Sequence, residues 1–294
     1  MRVFLTGATG FIGSRIVPEL LAAGHQVLGL SRSDAGAEAL RRAGAEVHRG
    51  DIEDLESLQR GAAACEAVIH TAFDHDFSRF AANCEKDRRA IHALGAAMPS
   101  AKAPLLITSG TAMGATVPGE PATEDHFAAD HPNPRVASEL AGRDLLQRGL
   151  NVSVLRLSQI HDTRKQGLVS PVIELARTKG VSAYVGDGLN PWSAAHVTDT
   201  ARLYRLALDR SEPGARYNAT AEGAIPFRDI AEAIGRRFGL PVTSLTPQQA
   251  AEHFGWLAMF VDQEMSASSE KTRARTGWQP AGPSLAEDIA GIAA

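Results

Sequence analysis

Apolar positions along the first 165 residues come in two alternating rhythms. Short runs such as "RVFLTG", "HQVLGLSR", "EVHRGD", "AVIHTAF", "PLLITSG" and "NVSVLRLS" are separated by stretches such as "GSRIVPELLAAG" and "AGAEALRRAG", whose apolar residues recur at helical spacing. Strand followed by helix, repeated, predicts a parallel sheet built from right-handed crossovers, and six such strands predict an α/β, doubly wound Rossmann sheet. Beyond about residue 165 the rhythm changes. "VSPVIELARTKG", "FRDIAEAIGRRFG" and "PQQAAEHFGWLAMF" have helical periods, with strands expected near "SAYVGDG" and "ARYNAT". The division this suggests is a Rossmann domain over 1–165, with part of 196–222 returning to it. A smaller, partly interleaved substrate lobe would come from 166–195 and 223–294.

Composition narrows the function classes. The chain of 294 residues has 22% charged residues and a formal charge of −4 with no long run of one sign, so nothing marks it for nucleic acid or for an anionic membrane surface. Its start runs directly into an apolar strand, with no export signal, and no run of about 20 apolar residues occurs. Cys65 and Cys84 have a spacing that suits neither zinc nor a disulfide framework. A cytoplasmic protein acting on a small molecule is expected, and no metal site. His126 and His131 lie beside acids in "EDHFAADHP" but lack further ligands at a convincing spacing.

Gly7, Gly10 and Gly13 form a G-x-x-G-x-x-G run between the first strand and the first helix. Glycine allows the tight turn and close approach of the backbone to a pyrophosphate, which meets the free N–H groups of a helix N-terminus. At the end of the second strand, "GLSRS" puts Ser31 where an acidic residue would select NAD, with Arg32 next to it. A guanidinium beside a hydroxyl suits a 2′-phosphate, so NADP(H) is expected in preference to NAD(H); a solvated loop arginine is the bland alternative.

These segments, with Asp51 after the third strand, "VIHTA", "TSGTAMG", "VLRL", "HVTD" and "TGWQP", resemble the extended short-chain dehydrogenase/reductase superfamily over nearly the whole chain. The resemblance implies an NAD(P)-binding Rossmann domain, a small C-terminal substrate lobe and a homodimer. It implies that Gly7, Thr9, Gly10, Phe11, Ile12 and Gly13 hold the pyrophosphate, with Ser31 and Arg32 at the adenosine ribose and Asp51 and Ile52 beside the adenine. Thr71, Ala72 and Phe73 would lie under the cofactor, and Ser158, Gln159 and Ile160 would face the nicotinamide.

The same resemblance implies a hydroxyl, a Tyr and a Lys for carbonyl reduction, the last two one helical turn apart. Ser109 fills the first position. In "NPRVASEL" Arg135 stands where the family has Tyr and Glu139 where it has Lys. No shifted copy exists, because the residues four beyond Tyr184, Tyr204 and Tyr217 are Gly188, Leu208 and Ala221. This departure resembles the atypical subgroup of the superfamily. Arginine can hydrogen-bond a developing oxyanion but is a poor proton donor, and Glu139 could accept bonds from ribose hydroxyls but not replace the lysine. Alternatively the two form an ordinary helix-surface pair. His161 and Tyr184 are candidate proton donors, and His196 and Asp199 are expected to be structural, with Asp199 or Thr198 capping a helix. Trp192, Phe254, Trp256 and Met259 are expected in a core rather than a pocket.

Three functions remain open from the sequence. The first is an NADP(H)-dependent reductase of a small carbonyl, imine or activated alkene. The others are a nucleotide-sugar epimerase or dehydratase, which needs the missing Tyr more, and a non-catalytic NADP(H)-binding redox sensor.

Overall fold

Of the six apolar runs, the central ones form strands because residues buried on both faces leave no polar position to spare, as where Val3, Phe4 and Leu5 are fully buried, while the run at the sheet edge, 46–49, is only half-buried. The computed structural model describes residues 1–117 and 119–293. The six are β1 (Arg2–Thr6), β2 (Gln26–Ser31), β3 (Glu46–Arg49), β4 (Ala67–His70), β5 (Leu105–Gly110) and β6 (Val152–Leu157). Between them run α1 (Gly13–Ala22), α2 (Asp34–Arg42), α3 (Leu55–Ala63), α4 (Phe80–Ala96) and α5 (Val136–Gln147).

The chain continues as β7 (Gln159–His161), α6 (Val169–Lys179), β8 (Ser182–Val185), β9 (Pro191–His196), α7 (Val197–Arg210) and β10 (Arg216–Ala219). After these come β11 (Glu222–Pro226), α8 (Phe227–Phe238), β12 (Val242–Leu245), α9 (Pro247–Phe254), α10 (Ala258–Val261), α11 (Glu270–Thr276) and α12 (Leu285–Ala290). The central sheet has seven strands in the order β10-β6-β5-β4-β1-β2-β3, all parallel. Its order reverses between β1 and β4, so the crevice at their carboxyl ends is where a doubly wound sheet binds its ligand. The strand expected near "ARYNAT" is β10, the seventh strand of this sheet.

Two smaller sheets complete the molecule: β11-β9-β7 and β12-β8. β7 therefore leaves the Rossmann sheet directly after β6 and pairs with β9. The segment expected as one helix over "PQQAAEHFGWLAMF" is broken at Gly255, whose φ of 56° suits glycine, into α9, a 3₁₀ turn and α10. At α7 the cap is His196, whose side chain accepts from the Thr198 N–H, rather than Thr198 or Asp199. Asp199 instead accepts from the backbone of Ala281 at 3.0 Å and Gly282 at 2.7 Å, while its carbonyl receives the Trp278 indole N–H at 2.8 Å. That is how "HVTD" and "TGWQP" come together.

One core lies between the sheet and α1 with α7, another between the sheet and α3, α4 and α5, and a third fills the C-terminal lobe. In the third, Trp192 and Phe227 meet edge to face with ring centroids 4.8 Å apart, both fully buried. Phe254 is also in this core, whereas Trp256 and Met259, expected in a core, are exposed. Replacing Phe227 by Ala is expected to cost about 3–5 kcal/mol through lost burial and a residual cavity. Urea unfolding checks this, and an unchanged midpoint would contradict the packing described.

Candidate active site

The glycine turn is held against the end of β4. Gly7 has φ of 69°, and a Cβ there would lie 2.6 Å from Thr71 Oγ1 and 2.7 Å from the Ala72 nitrogen. A Cβ on Gly13 would meet the Gly7 carbonyl at 2.1 Å. Both glycines are therefore required by contact. Thr71 Oγ1 donates to the Thr6 carbonyl at 2.8 Å and the Ala72 N–H to Thr6 Oγ1 at 3.3 Å, so the β4 loop and the turn after β1 are one unit. Thr9 and Gly10 remain exposed at its tip, ahead of α1. This cradle fits a dinucleotide pyrophosphate.

Just past β2 the Arg32 side chain is 83% exposed and lies 3.8 Å from Asp51. Ser31 differs from expectation. Its hydroxyl is buried and donates to the Ser33 carbonyl at 3.0 Å, so its donor is used inside the loop. Asp51 accepts from the Glu53 N–H, and Ile52 packs against the α3–α5 core.

Arg135 and Glu139 do not pair with each other, because each has a better partner. Arg135 stands at the N-cap of α5 and reaches back across the carboxyl ends of the strands. Its Nη1 donates to Asp87 Oδ2 and to Ser138 Oγ, both at 2.7 Å, and its Nη2 to the Thr108 carbonyl at 2.9 Å. The guanidinium carbon lies 4.1 Å over the Phe73 ring. Asp87 on α4 is fully buried and also receives Ser138 Oγ at 2.6 Å and His70 Nε2 at 3.0 Å. His70 continues through Nδ1 to Thr6 Oγ1 at 2.7 Å, and Thr108 Oγ1 lies 2.7 Å from the buried Tyr204 hydroxyl. Burial pushes the Asp87 carboxyl up, but the Arg135 charge and the His70 and Ser138 hydrogen bonds outweigh it and hold the group at about 2.

Glu139 is consumed structurally. Arg156, fully buried on β6, donates Nε and Nη2 to its two oxygens at 2.8 Å, and Arg216 adds a contact at 3.2 Å. The remaining Arg156 donors bind the carbonyls of Thr123 at 2.9 Å and His126 at 2.8 Å. Glu139 thus ties α5 to β6 and to the long loop that leads to Arg135, and has no capacity left for a ribose. His126 serves through its backbone, while His131 Nδ1 accepts from the Asn133 N–H.

The other residues singled out in the sequence scatter. Ser109 lies next to Thr108 with its hydroxyl buried and without a hydrogen-bond partner among the described residues. Ser158 donates to the Ala219 carbonyl at 2.6 Å, Gln159 Oε1 accepts from Leu168, and Ile160 is buried in the core, so these three side chains are turned inward. His161 is fully buried, 2.6 Å from Asp288 and 3.9 Å from Glu222, with His196 beside it. Desolvation pushes it below its ordinary pKa. It clamps α12 onto β7 and β9 rather than facing Arg135. Tyr184 packs in the C-terminal core against Gly188. Neither it nor His161 contacts the Arg135 platform.

Sequence reasoning missed Asp87, His70 and Tyr204, because their partners are 48, 64 and 96 residues away and no local spacing reveals such pairs. It also missed the aromatic wall beside Phe73. Phe77 stacks on Trp256 at 5.2 Å and meets Phe80 at 5.4 Å, joining the β4 loop to the C-terminal lobe. The density of Phe and His in "FDHDFSRF" is the available signal.

A glycine cradle at the switch point of a seven-stranded parallel sheet, with a polar platform beside it, defines a nucleotide-binding α/β enzyme class. The chain belongs to the NAD dependent epimerase/dehydratase family, whose model matches residues 3–220. An uncharacterized protein of Schizosaccharomyces pombe is 43% identical over 99% of this chain and 98% of its own length. An uncharacterized protein of Saccharomyces cerevisiae is 39% identical over 98% of each. Among solved structures, UDP-glucose 4-epimerase of Thermus thermophilus, in complex with NAD, is 25% identical with a TM-score of 0.74, covering 99% of this chain and 97% of that one.

The Asp87 carboxyl lies below its unfolded value of 3.8, so its contribution to stability is present above about pH 4 and is lost as pH falls through about 2. The amount is on the order of 2 kcal/mol. Asp87→Asn is expected to flatten the fall in stability over that acid range, measured by denaturant unfolding at stepped pH. An unchanged acid limb would refute the assignment.

Proposed function

We propose that the chain is an NADP(H)-dependent reductase of a small organic carbonyl, imine or activated alkene. The observation that carries this reading is the Arg135 guanidinium, held 2.7 Å from the buried Asp87 carboxylate at the position where the family resemblance places the Tyr. When bound, the nicotinamide would supply hydride. Arg135 spends three of its five N–H groups on Asp87, Ser138 and the Thr108 carbonyl. Two remain for an oxygen or nitrogen on the acceptor that gains negative charge. Because Asp87 and Phe73 fix the guanidinium beforehand, little reorganisation is needed when that charge forms, which is the condition for effective electrostatic stabilisation. The orphan Ser109 hydroxyl, on the same strand end, is the second donor.

Preference for NADP(H) rests on Arg32 alone, since the Ser31 hydroxyl is turned inward. An exposed guanidinium at the end of β2 with no acid in the Ser31 position suits a 2′-phosphate. The epimerase reading is weaker here. That chemistry begins by removing a hydroxyl proton, and an arginine held by a carboxylate is a poor base.

Arg135→Ala is expected to lose turnover by about 100-fold or more while keeping NADPH affinity, in an assay of NADPH oxidation across ketones, imines and enones. Unchanged turnover would return Arg135 to a structural role, and NADPH binding without oxidation by any acceptor would favour the redox sensor. Separately, Arg32→Ala is expected to weaken NADPH far more than NADH in fluorescence titrations, and equal losses would contradict the cofactor choice.

A further inference from the structure

The histidine inside the polar platform, His70, is buried and has both ring nitrogens engaged, by Asp87 at 3.0 Å and Thr6 at 2.7 Å, so neither faces a bound acceptor. Arg135 stays charged, His161 is sealed against Asp288, and Tyr184 belongs to the other core. A second histidine, beside the platform, is not tied in this way.

His75 lies two residues beyond Phe73 in the loop after β4, at the switch point of the sheet. Its ring meets the edge of the Phe73 ring with centroids 5.2 Å apart, and the Arg135 guanidinium covers the same ring at 4.1 Å. On its other side Phe77 is 6.4 Å away, itself stacked on Trp256. The loop is firmly built. Asp74 receives Lys86 Nζ at 3.0 Å and the Asp76 N–H at 3.1 Å, and the Asp76 carbonyl receives Asn83 Nδ2 at 3.0 Å. Opposite the loop, Lys165 sits 5.9 Å from the Phe11 ring of the glycine turn.

We propose that His75 is the proton donor to the acceptor bound at the Arg135–Phe73 platform, taking over the part the family gives to the Tyr. The inference rests on the reductase reading. As hydride arrives at the carbon of a C=O group, the π pair moves to oxygen, and oxygen takes a proton from the His75 imidazolium. One N–H bond breaks, one O–H bond forms, and the neutral imidazole reloads from water. Arg135 holds the oxygen and His75 supplies the proton.

The electrostatic surroundings agree with this placement. His75 is exposed on one side, and partial desolvation, followed by the positive charges of Lys165 and Arg135, pushes it below its ordinary value, while the Phe73 carbonyl and the Asp74 carboxylate oppose them. These groups come from the β4 loop itself, from the loop after β7 and from the start of α5.

The test uses the full chain carrying isotope-labelled histidine, titrated by NMR from pH 5 to 8 with NADPH bound and then with NADP⁺ bound. The two ligands differ by one positive charge on the nicotinamide ring, so a histidine facing that ring feels the difference. The His75 signal, assigned by its loss in His75→Gln, is expected to titrate a few tenths of a pH unit lower with NADP⁺, the effect of a unit charge roughly 8–10 Å away in a high dielectric. His131 and His253 are expected to be the same in both complexes. Equal His75 values in the two complexes would overturn the proposal while leaving the cofactor reading intact. If neither nucleotide binds, the cofactor reading fails first and the proposal with it. With an acceptor that turns over, His75→Gln is expected to lower kcat about 100-fold and to abolish its alkaline decline, with NADPH affinity unchanged.

Discussion

The buried carboxylate of Asp87 is the constraint around which the candidate site is arranged. A charge taken out of water costs several kcal/mol unless partners satisfy it, and here Arg135, Ser138 and His70 do so from two elements, the start of α5 and the end of β4. Each partner is tied further, His70 to Thr6 at the end of β1 and Arg135 to the Thr108 carbonyl on β5. The start of α5, the ends of three central strands and α4 are therefore fixed relative to one another by a single anion. Moving any one of them would strand a buried charge.

A second buried carboxylate, Glu139, does parallel work one turn along the same helix. Its bidentate bond with Arg156 satisfies both charges, and the leftover donors of Arg156 capture carbonyls of the loop between β5 and α5. The i, i+4 spacing that would make Arg135 and Glu139 a surface pair is real, but such a pair is worth only about 0.3–0.5 kcal/mol when exposed. Bonds made by buried charges with ideal geometry outweigh it, so the two residues serve two separate networks. The two residues that stand where the resemblance places Tyr and Lys are thereby one cation fixed at the carboxyl ends of the strands and one internal brace.

How much of this the sequence could show follows from the range of the interactions. The alternating periods give β1 to β6 and the glycine turn because strand, helix and turn chemistry are local. The placement of Arg135 and Glu139 comes from alignment of "NPRVASEL" with a family pattern, yet their partners Asp87 and Arg156 lie 48 and 17 residues away and carry no signature of their own. Ser31 illustrates the same limit at short range. Its position is legible, but the rotation that points its hydroxyl at Ser33 depends on the crowding around Gly36, where a Cβ would come within 2.5 Å of Ser31 Oγ. His161 and Tyr184 are attractive as residue types, and what separates them from the platform is the departure of β7 to a different sheet and the packing of β8 in a different core.

Under the proposed mechanism, with Arg135 standing where the resemblance places the Tyr and Glu139 where it places the Lys, the proton would come instead from His75 in the loop after β4. In the family arrangement a lysine lowers a tyrosine from about 10 toward neutrality. Here desolvation, followed by the positive charges of Lys165 and Arg135, pushes a histidine below its ordinary value. A histidine shifted in that direction gives up its proton more readily, and in the proposed mechanism it would best serve acceptors whose anion is already well held by Arg135 before the proton arrives. An enolate formed by hydride addition to an activated alkene meets that condition better than the alkoxide of a simple ketone, because its charge is delocalised and its demand for immediate protonation is smaller. Under the proposed mechanism, conjugated carbonyl compounds are therefore the acceptors to test first.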